Sequence, residues 1–400
     1  FYFLVFSHPL SKWANQWYHH SAFALKMQGG RPPLLRFFAA HRVYAGPKRF
    51  GRVTEMKKAF LLLCAALLLG TLLLPRAGYR LAEAVLSRSA TSSEGTPFSA
   101  SSKETGLLER FLPSSAAYTG DADVFRIQNL STGAVEEVEK RAYLLGAVAA
   151  EMPMDWPDEA LKAQAIAAHS YVLYCRDHAA DSAQGWLTAD PARRQGYLTD
   201  AVLRSYWGTQ YEAHFARLSA LVDEVADEVL CYDGTAAGTS YFALSNGRTE
   251  ASENVWGAPL PYLVAVDSAA DCSAPHYEVA LSLPQAQVEA ALAGLGLTPD
   301  AAAPGSWFGS PTRSPSGYIT AQPVCGQALS GTALRRALGL RSTDFTVHYA
   351  AGTFTFITHG YGHGVGMSQW GAKALAEQGA AAAEILAHYF PGTTLCRASS

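Results

Sequence analysis

The sequence predicts an α+β fold, in which helices and strands are interspersed without the strand–helix rhythm of a parallel α/β sheet. Two observations carry this. Apolar residues recur at helical spacing in several separate stretches, and between them lie short alternating runs bounded by turn residues. A third observation is the stretch His359-Gly-Tyr-Gly-His-Gly-Val-Gly-Met-Ser-Gln-Trp-Gly371, with glycine at 360, 362, 364 and 366. If that run is extended, one face is bare backbone and Tyr361, His363 and Val365 share the other. A bare face implies close approach by another backbone or by a ligand.

In chain order, folding is expected to begin near Asp123. Val124–Ile127 and Gly133–Val135 flank a turn and read as a hairpin. Val138 to Ala150 has apolar residues at 144, 145, 148 and 149 and reads as a helix. It should stop at Glu151-Met-Pro153, because the residue before a proline is pushed out of the α region. A second helix follows, with Asp155 as cap, Pro157 in its first turn, and Leu161, Ala165, Ala168, Val172 and Cys175 on one stripe. Its many alanines suit a buried helix. Phe215 to Ala226 repeats the helical period, and Val229–Tyr232, turned by Asp233-Gly234, is expected to pair with Ser240–Phe242 as a hairpin. Tyr262–Val266 reads as a strand, Pro284–Leu295 as a short helix, 304–317 as a loop and about 318–358 as strands. Ser368 is suited to cap a helix through Ala372, Leu375 and Ala376, and Ala381–Tyr389 reads as the last helix.

Charge is nearly balanced, with 31 basic and 34 acidic residues and a formal net charge of −3. Without a basic block, nucleic acid is not expected as a partner. The one membrane signal is Met56-Lys-Lys followed by the apolar run Ala59–Leu74, short enough for a signal-peptide core or a membrane anchor. No Ala-x-Ala site follows, so an uncleaved single-pass anchor over 56–76 is expected, with the lysines inside and the domain outside. Residues 1–55 open on Phe1, lack periodicity and precede the targeting signal, so they read as a non-native extension with translation starting at Met56. The Ser/Thr-rich stretch within 77–122 reads as a linker, leaving a domain at 123–396. Six cysteines, at 64, 175, 231, 272, 325 and 396, show no CxxC spacing and no pairing.

Glu151 is the carboxylate singled out for chemistry. The negative end of a helix and the apolar neighbours Met152, Met154 and Trp156 both favour its protonated form, as a general acid needs. The alternative is a surface glutamate in a turn. Ser245, Asn246, Gly247, Arg248 and Thr249 offer hydroxyl, amide and guanidinium groups to a polar polymer, or form an ordinary loop. His359 and His363 invite a metal or general-base role, but they lack the HExxH pattern and nearby acids. No Gly-x-Ser-x-Gly elbow is present.

Several of these motifs occur together, in this order, in one family. They are Tyr143-Leu-Leu-Gly-Ala-Val-Ala-Ala-Glu-Met-Pro153, Glu159-Ala-Leu-Lys-Ala-Gln-Ala-Ile-Ala-Ala168, the Ser245 loop, Leu340-Arg-Ser-Thr-Asp-Phe345 and the glycine run. On them the chain resembles the SpoIID family, stage II sporulation protein D and its relatives, over roughly 123–396. The resemblance implies a lytic transglycosylase that cleaves the β-1,4 bond between N-acetylmuramic acid and N-acetylglucosamine in peptidoglycan. It further implies glycan strands stripped of stem peptides as substrate, and 1,6-anhydro products. The implied setting is forespore engulfment, in the mother-cell membrane facing the intermembrane space, with a SpoIIP-type amidase and a SpoIIM-type membrane protein as partners.

The family's catalytic glutamate corresponds to Glu151. One carboxyl group can serve as acid and then as base, so a second carboxylate is not required. Tyr361, His363, Ser368 and Gln369, with the bare face of the glycine run, are expected to shape a groove for the glycan strand beside it. The alternative function is a non-catalytic glycan-binding scaffold that activates an amidase partner. Some relatives hold zinc just before a Gln-x-Tyr element. Here Gln195-Gly-Tyr197 is kept, but Thr188, Arg193 and Arg194 stand at the ligand positions, so neither zinc nor another cofactor is expected. The helix motif ends Ala167-Ala-His-Ser-Tyr171 where Arg-Thr-Tyr is usual, and Tyr241-Phe242 replaces a common Tyr-His.

Overall fold

The structure, a computed structural model, describes residues 117–180 and 184–398. The expected extension 1–55, the anchor 56–76 and most of the linker lie outside the described residues. Among the described residues no helix is long and apolar enough to cross a membrane.

Strands β1 (Ala117–Tyr118), β2 (Val124–Asn129) and β3 (Val135–Glu139) lead into helices α1 (Lys140–Glu151) and α2 (Asp158–Asp177). β4 (Leu187–Ala189), α3 (Asp200–Trp207) and α4 (Tyr211–Val225) follow, then β5 (Glu228–Tyr232), β6 (Thr235–Ala236), β7 (Tyr241–Phe242) and α5 (Ser252–Trp256). A middle group runs β8 (Glu278–Pro284), α6 (Gln285–Gly294), β9 (Thr312–Arg313), β10 (Ile319–Val324), β11 (Gln327–Leu329), α7 (Gly331–Leu338), β12 (Phe345–Ala350) and β13 (Thr353–His359). The chain closes with β14 (Met367–Ser368), α8 (Gln369–Glu377), α9 (Ala382–Tyr389) and β15 (Thr394–Ala398). Helices and strands are mixed, as expected of an α+β fold.

Helix α2 is the centre of the first core. Its alanines 160, 163, 165, 167 and 168 are buried, which lets α1, α4, α8, α9 and β5 pack closely around it. The sheet β1-β15-β5-β6 brings the last strand between β1 and β5, and β3-β2-β4 covers another side. The fold therefore begins by Ala117, ahead of the expected start at 123, because Tyr118 is buried and β1 pairs with β15. A second core lies under the antiparallel sheet β12-β13-β8, where Phe345, Phe354, Phe356 and Trp307 pack with α6 and α7.

The hairpin at 124–139, the helix ending at Glu151, the α2 stripe and the helices at Tyr211–Val225, Gln285–Gly294 and Ala382–Tyr389 agree with expectation. Four local readings are corrected. Asp155 does not cap α2, whose first turn follows an extended Pro157 with no side-chain cap. The turn at Asp233-Gly234 joins β5 to β6, whereas Tyr241–Phe242 pairs in parallel with Met367–Ser368. Residues 262–266 are not a strand, because pairing there is limited to a bridge between Arg248 and Asp267. A helix, α7, interrupts 318–358, capped by Ser330 and ended by Gly339 in the left-handed region.

The glycine run is not extended. Gly360, Gly362, Gly364 and Gly366 all have positive φ, between 79° and 133°. Tyr361 and Val365 are buried while His363 is half-buried, so the three do not share one open face. The bare backbone is taken up by the protein itself. A Cβ on Gly366 would lie 2.1 Å from the Ser240 carbonyl oxygen, and one on Gly360 2.7 Å from that of Leu244.

Candidate active site

Glu151 is the last residue of α1, and Met152 leaves the helix in extended geometry ahead of Pro153, as a residue before proline must. That exit points the chain away while Glu151 stays 2% exposed against the first core. A buried carboxyl group needs hydrogen-bond donors. One is Gln369, the first residue of α8, whose Nε2 donates to Glu151 Oε2 at 2.9 Å and to Gln164 Oε1 at 3.3 Å. Gln369 is held in register because Ser368 Oγ caps α8, accepting from the Gly371 amide, and because β14 is paired to β7. The glycine run and α2 thus meet at the end of α1.

Beside this pair lies a pocket of about 260 Å³. Gln369, Tyr361, Trp156, Trp370, Arg341 and His276 are among the side chains that line it, and it meets Glu151 through Gln369. The two tryptophan rings stand edge to face, 5.1 Å between centroids, a surface suited to the apolar face of a sugar. Arg341 lies over the Tyr361 ring at 4.1 Å. Burial pushes the Tyr361 phenol up to about 12 against the pull of Arg341 and Arg335, so at neutral pH it is a hydroxyl donor. Burial also lowers the Arg341 guanidinium from its ordinary value. Three buried polar atoms of this wall, Gln369 Oε1, Tyr361 Oη and Arg341 Nε, have no partner among the described residues. Buried polar atoms are nearly always hydrogen-bonded, so their clustering around one pocket marks a place for a polar ligand.

The remaining sequence candidates take other places. Ser245 is fully buried, and its hydroxyl and amide both donate to Asp271 Oδ2, at 2.5 and 2.9 Å. Thr249 is also buried and bonds the Val264 carbonyl and the Val266 amide. Asn246 ties the loop to Ser316 and Asp344, and Gly247 has φ +106 with Cys272 against it. The loop is a structural brace whose one exposed side chain is Arg248. His363 Nδ1 accepts from the Val365 amide, with its ring near Phe242 and Trp256. His359 instead stands near Glu278 and Asp344. Among the described residues no three His, Cys, Asp or Glu side chains converge as a metal site, and the five cysteines are free.

Gln164, Trp370 and Arg341 were not expected at the site. Gln164 carried a signal, a lone amide on an otherwise apolar stripe of α2. Arg341 and Trp370 did not, because tertiary packing alone brings them beside Tyr361. His169 is fully buried, bonding Asp121 at 2.9 Å and the Glu228 carbonyl at 3.1 Å.

With this geometry in place, comparison with known proteins gives a family match and three similar relatives. Residues 128–232 match the SpoIID family, described as stage II sporulation protein. The chain is 35% identical over 283 residues to stage II sporulation protein D of Bacillus amyloliquefaciens, spanning 69% of this chain and 79% of that protein. The same protein of Bacillus subtilis strain 168 matches at 35% over 280 residues, with the same coverage. The amidase enhancer of Bacillus subtilis strain 168 is 28% identical over 310 residues, 63% of this chain but 40% of its own length.

Proposed function

The chain belongs to the SpoIID family, and from that premise we propose that it is a peptidoglycan lytic transglycosylase acting in sporulation, with Glu151 as its single acid/base. The observation that carries the reading is the buried Glu151–Gln369 pair beside a pocket walled by Trp156, Trp370, Tyr361 and Arg341. In this reading Glu151 first protonates the leaving glycosidic oxygen between N-acetylmuramic acid and N-acetylglucosamine. The resulting carboxylate then takes the proton of the muramyl C6 hydroxyl, whose oxygen closes on C1 to give the 1,6-anhydro end. No water enters the balance. Burial of the carboxyl group in an apolar wall suits both steps, since bulk water would divert the sugar cation to hydrolysis. Gln369 orients one carboxyl oxygen and must move aside from the other reactant, because it stands between Glu151 and the pocket.

The substrate in this reading is peptide-stripped glycan, supplied by a SpoIIP-type amidase and handled at the mother-cell membrane, with a SpoIIM-type protein alongside. A second reading is favoured by the likeness to the amidase enhancer: a non-catalytic scaffold that binds glycan and stimulates the amidase. Digestion of peptide-free glycan strands by the full-length chain, followed by mass spectrometry, separates the two. Transglycosylase action gives 1,6-anhydro ends whose formation falls at least about 100-fold in Glu151→Gln. Reducing ends would mean hydrolysis, and no cleavage would leave the scaffold.

A further inference from the structure

Among the described residues, Arg341 is a cation without an anion. It follows Leu340 at the end of the α7 turn, and its guanidinium lies on the Tyr361 ring at the pocket wall. Its protein partner is the His276 carbonyl, reached by Nη2 at 3.3 Å, while Nε is buried and unpartnered. Among the described residues no carboxylate pairs with it, although nearby Arg313 has Asp344 and His359 has Glu278. An unpaired guanidinium that is half-buried, with its Nε fully buried, is costly unless an anion arrives with the ligand. Its planar fork matches a carboxylate in two parallel hydrogen bonds, and stacking on Tyr361 fixes the plane of that fork.

We propose that Arg341 binds the free carboxylate of the muramyl lactyl group and so makes this pocket select glycan from which the stem peptide has been removed. This rests on the transglycosylase reading for the identity of the sugar. A glycan strand offers carboxylates from two sources, the lactyl ether on the ring and the stem peptide. The lactyl group is the one that fits. Arg341 shares its pocket with Gln369, which is bonded to Glu151, so the anion must lie on the reacting sugar rather than several bonds out along a peptide. When a stem peptide is attached, that same carboxyl is a neutral amide. The guanidinium then faces a group that cannot satisfy it, and selection follows from a half-buried charge left unpaired.

The test measures binding rather than cleavage, in full-length chains carrying Glu151→Gln so that strands stay intact. Three ligands are compared: peptide-free strands, the same strands with their lactyl carboxyls converted to methyl amides, and peptide-bearing strands. The Glu151→Gln chain is expected to bind the free acid about tenfold or more tightly than either other ligand. Adding Arg341→Gln should remove that preference and leave the three affinities equal. Arg341→Lys, which keeps the charge and loses the fork, should reduce it, and serves if the glutamine variant does not fold by thermal unfolding. A preference that survives both substitutions, or is absent before them, overturns the proposal. Tighter binding of peptide-bearing strands overturns it in favour of the stem-peptide source. Because the readout is affinity, a wild-type chain that forms no anhydro ends would sink the Glu151 chemistry while leaving the Arg341 result intact.

Discussion

At the residue scale one amide ties distant parts of the chain together at the site. Gln369 reaches Glu151 and Gln164 together, joining α8, α1 and α2 through a single amide. Replacing it with leucine keeps the volume and removes the donor. The buried carboxyl then lacks a partner it cannot replace with water, which costs about 1–3 kcal/mol of stability. The Glu151 carboxyl also loses one of the groups that orient it, and in the proposed reaction a misplaced acid/base slows the step steeply. If the chain acts as the proposed transglycosylase, Gln369→Leu is expected to lower anhydro-product formation by about tenfold or more, and in any case to reduce unfolding free energy by about 1–3 kcal/mol. Urea unfolding and product mass spectrometry read the two effects separately. A variant with full activity and unchanged stability would show that the bond is incidental. By contrast, alanine at Ser245 or Thr249 acts through the fold, since both hydroxyls bond within the protein.

At the element scale the glycine run works as a tight seam rather than as a strand. Gly366 has φ +80° and would place a Cβ 2.1 Å from the Ser240 carbonyl oxygen, in the segment that holds β14 against β7. Gly352 has φ +78° with nothing within 4 Å, in the open turn between β12 and β13. Gly352→Ala therefore suffers the backbone strain alone, about 1–2 kcal/mol. Gly366→Ala adds a backbone clash and is expected to cost about 2–5 kcal/mol in urea unfolding. Equal losses at the two positions would mean that the seam can spread. This also explains what was legible in the sequence. The α1 and α2 helices and their boundary at Pro153 were readable because apolar period and proline chemistry are local. The place of Glu151 at the end of α1 was readable for the same reason. Helix α7 had its signals, Ser330 as cap and Gly339 as stop, but β-like neighbours on either side masked a short helix. The partners of the glycine run and the meeting of Arg341 with Tyr361 depend on contacts distant in sequence, which no local pattern carries.

At the scale of the whole molecule, the first core is tied together by a buried ionic cluster. Asp121 is almost fully buried. It accepts from Lys140 Nζ at 2.7 Å and lies 2.9 Å from His169 Nε2, while the other nitrogen of that ring meets the Glu228 carbonyl. One carboxylate thus joins the segment before β2 to the start of α1, the middle of α2 and strand β5. Burial alone would raise the Asp121 carboxyl, but the hydrogen bonds from His169 and Lys140 outweigh it and hold the group well below the usual carboxylate range. A folded value below the unfolded one, about 3.9, means that the contribution is fully present above that pH. As the pH falls through about 4 and below, the unfolded chain takes up the proton first and the contribution fades. Asp121→Asn keeps the shape and removes the titration. It is expected to be less stable than wild type at neutral pH, with the gap narrowing as the pH drops below about 4, because only wild type still has this contribution to lose. Thermal unfolding of both chains from about pH 2 to pH 7 measures the gap directly, and the other carboxylates cancel in the difference. A gap that stays constant across the range would mean that Asp121 serves the fold by shape and not by charge.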